Sequence, residues 1–286
     1  MRLHYYRGEA EPGPWRNFGD DLNPWFWSQL LSEQFTEDPS DPEVFVGIGT
    51  ILNDTVPRAQ VLHIMGSGAG YGRQGARAEA HWRVHCVRGP LTARTIGVPD
   101  RLAITDPAIL IPRLAIARSP CERGRVGFMP HVSMDNPRMQ RVAARAGLAY
   151  ISPGWDREEV LSGIDACDRI ITSAMHGAIV ADSLRVPWLA CVTSEHIHRF
   201  KWEDWCMSME LSFTPERIPS LWNVPAQGVG GSAKALLKDA LAVRVLRRLV
   251  ARGRFIHSSN RVLNQRSDRL GDVIADFDAS RRSVER

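Results

Sequence analysis

The feature that most constrains the fold of this 286-residue chain is an alternation of short apolar runs with amphipathic segments. In the first half, apolar runs lie at 3–6, 44–49, 61–66 and 82–87. Runs this short are typical of strands buried in a parallel sheet. A helix is predicted over 24–34, with Asn23 as N-cap and Pro24 as its first residue, and another over Pro90–Ile96. The alternation predicts βαβ units with right-handed crossovers.

The second half repeats this pattern. Strands are predicted at 125–130, 148–152, 169–173 and 188–192, and helices at 136–146, 157–167 and 177–185. The segment 112–125 lacks apolar periodicity and is predicted to link two domains. We therefore predict an α/β fold with two Rossmann-like domains, 1–117 and 124–231, whose parallel sheets face a cleft. Ligands of such sheets bind at the carboxyl ends of the strands, so we expect the site in the loops that follow them.

Residues 232–286 differ in character from both predicted domains. A helix over 232–254 combines leucine and valine at a spacing of three to four with clustered arginines, and the polar residues beyond Arg254 are expected to fray. This C-terminal basic helical extension either packs on the body of the protein or makes peripheral contact with anionic lipid at the inner face of the membrane.

Composition excludes several classes of protein. No apolar stretch reaches the roughly 20 residues of a membrane span, and no secretory signal is visible, so a soluble, cytoplasmic protein is expected. Five scattered cysteines without a C-x-x-C pair argue against a disulfide framework and against a thiolate zinc site. A net charge of +4 is too modest to indicate a nucleic-acid partner.

Two glycine-containing turns are candidates for substrate binding. The first is N-F-G-D-D-L-N at 17–23, where Asn17, Gly19 and Asp20 follow the first strand. The second is G-S-G-A-G-Y-G at 66–72, where Gly66, Ser67 and Gly68 follow a buried strand. Each glycine would let the backbone approach a ligand. The second segment lacks the G-x-G-x-x-G spacing of a dinucleotide fingerprint. The alternative to substrate binding is a polar turn with an N-cap for residues 17–23 and a flexible turn for residues 66–72.

Two further strand ends carry residues suited to an anion. Arg88 ends a predicted strand immediately before a helix, where its guanidinium is expected to point into the cleft and bind phosphate or carboxylate. Ser173, His176 and Gly177 lie at another strand-to-helix turn. A histidine there is suited to act as a general acid for a phosphorylated substrate. The alternative for His176 is a structural role, as a core histidine that is hydrogen-bonded to the backbone.

Other candidates are less specific. His131 ends a strand in the second domain, and Lys201 lies between two aromatic residues, an arrangement suited to a sugar and a phosphate but equally to a packing corner. His196 and His198 form an H-x-H pair without a third ligand at a recognisable spacing, so no metal site is predicted.

Five short motifs together resemble the polysaccharide pyruvyl transferase family, in its bacterial exopolysaccharide branch. They are N-F-G-D-D-L-N at 17–23, V-R-G-P-L-T-A at 87–93, F-M-P-H at 128–131, S-A-M-H-G-A-I-V-A-D-S-L-R-V-P-W at 173–188 and F-K-W-E-D-W at 200–205. Their order and spacing also match. The resemblance covers about residues 1–211, so the remaining C-terminal residues lie outside it.

The resemblance implies two domains arranged as in GT-B glycosyltransferases, with phosphoenolpyruvate as donor, no further cofactor, and a lipid-linked oligosaccharide as acceptor. It implies that His176 is the catalytic histidine and that Arg88 binds an anionic group of the donor. Some relatives carry arginine two residues before this histidine, where this chain has Ala174, so a second cation must come from elsewhere, with Lys201 and His131 as candidates. The alternatives are a nucleotide-sugar glycosyltransferase of the same fold and a non-catalytic protein that binds anions or membranes.

Overall fold

The computed structural model describes residues 1–8, 16–71, 76–114, 116, 118–192, 198–221 and 229–284. The chain divides into two compact units. Unit 1 comprises Met1–Ile116, His198–Phe213 and Ser258–Arg286, and unit 2 comprises Ala117–Ile197 and Thr214–His257. Each unit contains one main parallel sheet, which confirms the α/β fold class. The GT-B-like placement of the two sheets around a cleft stays a prediction.

Unit 1 is built on six short strands. They are β1 (Arg2–His4), β2 (Glu43–Val46), β3 (Thr50–Leu52), β4 (Val61–Met65), β5 (Gly68–Ala69) and β6 (Trp82–Cys86). The main sheet has the order β1-β2-β4-β6 with all neighbours parallel, while β3 and β5 form a separate parallel pair. Val44, Val46, Leu62 and Ile64 are buried in its core, as expected for strands covered on both faces.

Helix α1 (Phe18–Leu30) begins earlier than the sequence predicts, with Asn17 as N-cap and Pro24 inside the helix. Proline lacks the amide that would bond to the carbonyl of Asp20. The side-chain amide of Asn23 donates to that carbonyl at 3.0 Å instead, and also to the carbonyl of Ile48 at 2.9 Å. Asn23 therefore replaces the missing donor and ties α1 to the loop after β2, so the prediction that it caps a helix starting at Pro24 is wrong.

The other helices in the described part of unit 1 come from distant parts of the chain. Helix α2 (Pro90–Ile96) has the predicted bounds, and α6 (Arg199–Ser208) follows residues 193–197, which lie outside the described part of the chain. Residues 260–284 form the long helix α8 (Asn260–Val284), so the prediction that the polar residues beyond Arg254 fray is wrong. Leu270, Ile274 and Phe277 are buried on one face of α8. The ring of Phe277 packs against His63 and His85 of the sheet, with centroids 5.2 and 4.8 Å away.

Unit 2 has the strand order typical of a flavodoxin-like sheet. Its strands are β7 (Glu122–Met129), β8 (Ala149–Tyr150), β9 (Cys167–Thr172), β10 (Trp188–Val192) and β11 (Glu216–Arg217), all parallel, in the order β11-β10-β9-β7-β8. Its helices are α3 (Pro137–Ala146), α4 (Arg157–Asp165), α5 (Met175–Ser183) and α7 (Val229–Arg252). The strand order reverses between β7 and β9, which is the position where such sheets bind ligands.

Residues 232–286 do not form a separate extension. In α7, the side chains of Ala242, Val243, Leu246 and Leu249 are buried in the core of unit 2, whereas α8 belongs to unit 1. The apolar residues of both helices recur at helical spacing, and their burial assigns each helix to a unit. Among the described residues, none of the helices combines the length and the hydropathy of a membrane span. All five cysteines are free thiols, and only Cys121 is exposed.

Candidate active site

Two loops leave the unit 2 sheet at the point where its strand order reverses. Met129 of β7 pairs in register with Thr172 of β9, so the residues that follow these two strands emerge side by side. His131 and Ser173 lie in these two loops. The backbone N–H of His131 donates to the Oγ of Ser173 at 2.7 Å, and the ring Nδ1 of His131 lies 2.8 Å from the Oγ of Ser133. The predicted residues His131 and Ser173 are therefore brought together.

The turn from β9 into α5 is held by Thr172. Its hydroxyl donates to the carbonyl of Met129 at 2.9 Å and accepts from the backbone N–H of Ala174, the N-cap, at 3.0 Å. His176 is half-buried in the first turn of α5. The first backbone N–H groups of a helix have no acceptor within it and carry partial positive charge, which favours an anion. The turn thus places an imidazole beside a site suited to phosphate or carboxylate.

Gly177 faces the sheet, so its role differs from the predicted contact with substrate. A Cβ atom at this position would lie 2.7 Å from the Sδ of Met129 and 2.9 Å from the Oγ1 of Thr172. Both separations are shorter than real Cβ contacts, so any larger residue at this position would force Met129, Thr172 or α5 to shift. The glycine sets the position of the first turn and hence of His176.

A polar network at the end of β8 was not foreseen from the sequence. The carboxylate of Asp135 accepts a hydrogen bond from the hydroxyl of Tyr150 at 2.6 Å and another from the Oγ of Ser152. Burial, and then the neighbouring Asp135, raise the pKa of Tyr150. The Oγ of Ser152 in turn accepts from the N–H of Gly154 at 3.0 Å. Since β8 is the neighbour of β7, this network fixes a third loop at the same end of the sheet.

In unit 1, Arg88 is buried, contrary to the expectation that its guanidinium is open to an anion. Its side chain and that of Asp204 in α6 are both 0% exposed, and its Nε lies 3.2 Å from the Oδ2 of Asp204. The guanidinium also donates to the Oγ1 of Thr50 at 2.7 Å. Asp204 accepts from the backbone N–H of Thr92 at 2.9 Å and from its hydroxyl at 2.6 Å. The charge of Arg88 is thus compensated inside the protein.

The glycine-rich loop accommodates this ion pair. A Cβ on Gly68 would lie 2.1 Å from the Cζ of Arg88, and a Cβ on Gly66, which has φ of +81°, would lie 2.2 Å from the Cγ of Pro107. The hydroxyl of Ser67 is buried and donates to the carbonyl of Val46 at 3.0 Å. These three predicted substrate contacts therefore have internal partners, which corrects that prediction. Gly72, at the end of the motif, lies outside the described residues.

The predicted site residues near the start of the chain close the N-terminus of α1. The side-chain amide of Asn17 donates to the Oδ2 of Asp20 at 2.5 Å, and its backbone N–H donates to the Oδ2 of Asp21 at 3.2 Å. Gly19 and Asp20 are buried in the first turn, whose partial positive charge favours the two carboxylates. Burial nevertheless raises the pKa of Asp21. These residues form a helix start rather than an open turn.

Lys201 has an aromatic partner other than its neighbours in sequence. Its Nζ donates to the hydroxyl of Tyr71 at 2.8 Å and lies 5.2 Å from the centre of that ring. His198 lies against the same ring, with centroids 4.7 Å apart. Burial, followed by the charges of Lys201 and Arg88, lowers the pKa of His198. His196 falls outside the described residues, and within them no three histidine, cysteine or acidic side chains are grouped as metal ligands.

Comparisons of the sequence with known proteins point to one family. The family model for polysaccharide pyruvyl transferases matches residues 62–195, a range that includes Arg88, His131 and His176. The succinoglycan biosynthesis protein ExoV of Rhizobium meliloti (strain 1021) is 36% identical over 248 residues, which cover 84% of this chain and 72% of that protein.

Solved structures give a weaker likeness. A variant of the wall teichoic acid polymerase TagF is 10% identical with a TM-score of 0.33, over 85% of this chain and 74% of that one. The same variant soaked with CDPG has a TM-score of 0.32 and 10% identity, over 82% and 72%. Likenesses of this size do not establish a common fold. The family match and the 36% identity to ExoV carry the assignment: this chain is a transferase that belongs to the polysaccharide pyruvyl transferase family.

Proposed function

We propose that the protein transfers pyruvate from phosphoenolpyruvate to a hexose of an exopolysaccharide repeat unit, forming a ketal and releasing phosphate. The family supports pyruvate transfer, and the name of ExoV supports an exopolysaccharide as the product. The observation that best supports phosphoenolpyruvate as the donor is the first turn of α5. There His176 lies beside the N-terminal amides of the helix, at the position where the strand order of unit 2 reverses. The acceptor in this proposal is a lipid-linked oligosaccharide.

The reaction needs one proton at carbon and two new carbon–oxygen bonds. A general acid protonates the methylene carbon of the donor, which becomes the methyl group, and the adjacent carbon becomes cation-like. One sugar hydroxyl attacks that carbon, and its proton passes to the conjugate base of the general acid, which is thereby regenerated. A second hydroxyl of the same sugar then displaces phosphate and completes the ketal, while its proton leaves with the phosphate.

His176 is the proposed general acid. It is the side chain of the first turn that can carry a proton, and the amides of that turn are suited to the carboxylate or phosphate of the donor. His131, joined to Ser173 on the adjacent loop, supplies the second polar group at this end of the sheet. Donors that bind here place negative charge where the helix stabilises it, which also favours the departing phosphate.

Arg88 has a positioning role in this proposal. Because its guanidinium is engaged by Asp204 and Thr50, it holds the glycine-rich loop and α6 in place without touching the donor. Lys201 and Tyr71 form a half-buried cation beside an exposed ring in the same unit, a combination suited to the apolar face and the hydroxyls of a sugar.

The test is incubation of the purified protein with phosphoenolpyruvate and lipid-linked oligosaccharides, with released phosphate and product mass read together. We expect one phosphate for each pyruvyl group added. His176→Gln should lower turnover by about 100 to 10,000-fold, the usual contribution of a general acid. Binding of phosphoenolpyruvate, followed as a thermal shift, should remain.

His81→Gln, which changes a histidine immediately before β6, is the control and should keep full activity. Near-normal turnover of His176→Gln would show that another residue is the acid. Stabilisation by a nucleotide sugar but not by phosphoenolpyruvate, together with glycosyl transfer, would replace the proposed reaction with a glycosyltransferase reaction.

A further inference from the structure

Helix α7 exposes large apolar side chains. Leu236, Leu237 and Leu241 are 65%, 72% and 50% exposed, whereas Leu246 and Leu249 further along the same helix are buried. Isolated exposed leucines are common on protein surfaces, but Leu237 and Leu241 are four residues apart, so their side chains adjoin in a small apolar patch on one face of the helix.

Leu237 and Leu241 lie on the side of α7 opposite to its buried residues. Positions three or four apart on a helix share a face. Leu237, Leu241, Arg244 and Arg248 follow this spacing and are exposed, with Lys234 and Lys238 beside them. We call these six residues the outer face of α7. The opposite face, which includes Val243 and Leu246, is buried in the core of unit 2, so α7 is fixed by packing while its outer face has basic and apolar groups in solvent.

The charge of α7 is strongly positive. The helix contains Lys234, Lys238, Arg244, Arg247, Arg248 and Arg252, and Asp239 is its only acidic residue. Asp239 is already paired with Arg138 of α3, with Oδ1 2.7 Å from Nε. Arg247 donates to the backbone carbonyl of Arg145, at the end of α3. The outer face therefore lacks a neutralising carboxylate among the described residues of α7.

We propose that the outer face of α7 binds the surface of an anionic phospholipid bilayer. Leucines on the solvent side of a basic helix can enter the boundary between headgroups and acyl chains, while lysine and arginine side chains contact lipid phosphates. Two copies of this face would bring like charges together, which argues against a second copy of the chain as occupant. The inference stands apart from the proposed reaction because it needs neither donor nor acceptor.

Vesicle flotation with the full-length protein tests the proposal. Vesicles of phosphatidylcholine alone are compared with vesicles that contain about one third phosphatidylglycerol. We expect binding to the anionic vesicles and weakening as salt rises, since the lipid charge is screened. Binding to neutral vesicles should be at least tenfold weaker. Equal binding to both kinds of vesicle, or to neither, would overturn the proposal.

Substitutions on the outer face separate the two contributions. The triple variant Lys238→Gln, Arg244→Gln and Arg248→Gln should bind about 100-fold more weakly, because each basic residue near an anionic surface contributes about fivefold. The double variant Leu237→Gln and Leu241→Gln should bind at least tenfold more weakly at unchanged charge. All five side chains are in solvent or at its edge, so the thermal unfolding of these variants should match that of the parent protein.

Matched controls lie on unit 1. Arg58→Gln, Arg94→Gln and Arg101→Gln together remove the same charge, and Met207→Gln changes an apolar side chain that is 44% exposed. These controls should keep full vesicle binding. An equal loss in the charge-matched control would show that only net charge matters and would overturn the assignment to α7. A change of oligomeric mass in the leucine variant would show that a second copy, not lipid, covers the patch.

Discussion

Replacing Asp204 by alanine tests whether the buried ion pair of unit 1 holds the glycine-rich loop. Asp204 is the carboxylate beside Arg88, and both side chains are inaccessible to solvent. The substitution removes the counter-charge of Arg88 together with the acceptor of two hydrogen bonds from Thr92. Thr50 stays as a neutral partner of the guanidinium, at 2.7 Å, and cannot compensate its charge.

The expected cost is large because the remaining charge is buried. Breaking a buried ion pair from one side typically lowers the free energy of unfolding by about 3 to 5 kcal/mol. An exposed pair between residues four apart on a helix contributes about 0.3 to 0.5 kcal/mol. For a unit of this size, 1 kcal/mol corresponds to about 2 to 4 °C in the midpoint of thermal unfolding. We therefore expect the transition of unit 1 to fall by about 10 °C.

The control lies one residue away on the same helix. Glu203 pairs with Arg199 on the solvent side of α6, with their side chains 37% and 67% exposed, so Glu203→Ala should shift the midpoint by about 1 °C. Calorimetry follows both variants beside the parent protein. If Asp204→Ala lowered the free energy of unfolding by less than about 1 kcal/mol, the inference that Arg88 and Asp204 form a buried ion pair would be wrong. A double variant with Arg88→Met and Asp204→Leu should recover part of the loss, since it leaves no uncompensated charge.

Three further predictions test packing, protonation and thiol exposure. Gly177→Ala should lower the free energy of unfolding in urea by about 1 to 3 kcal/mol through overlap with Met129, whereas Gly163→Ala in α4, whose nearest neighbour would lie 3.4 Å away, should not destabilise. Burial, and then His63, lower the pKa of His85 from 6.5 to about 4, so the unfolded chain binds the proton first and stability should fall as pH drops from about 6.5 to 4. The free energy of unfolding should fall by about 3 kcal/mol over this pH range. If His85→Gln showed the same dependence of stability on pH, protonation of His85 would not be the cause. A thiol reagent should modify one cysteine of the folded protein, and Cys121→Ser should abolish that reaction.

Local signals in the sequence predicted the elements that depend on local interactions. Helix α2 has its predicted bounds because Pro90 fixes its start and Gly97, at φ of +78°, ends it. Strand β10 also has its predicted bounds, since its buried residues form one uninterrupted run. The start of α1 was misplaced because the donor that replaces the missing amide of Pro24 is a side chain, and its geometry is set only in the folded helix.

Long-range contacts account for the other errors. Leu270, Ile274 and Phe277 recur at helical spacing, but the many polar residues around them favour the prediction of a frayed end. The helix is stabilised by burial of these three residues, which the local sequence does not show. Burial of Arg88 depends on a carboxylate 116 positions later, which no local pattern indicates. The strand ends around His131 and Ser173 were placed correctly, because parallel strands bring their carboxyl ends to one edge whatever the loops contain.

The order of segments in unit 1 has a consequence for how the protein forms. Arg281 of α8 binds Glu33, 248 positions earlier, and Asp278 accepts two hydrogen bonds from Ser32. The first sheet is synthesised long before α8, which packs on one of its faces, so this face stays exposed to misassociation while unit 2 is being synthesised. Maturation of unit 1 should therefore be slow and dependent on α8, which is synthesised after unit 2, so that a premature stop near residue 257 would harm the earliest-made part of unit 1 most.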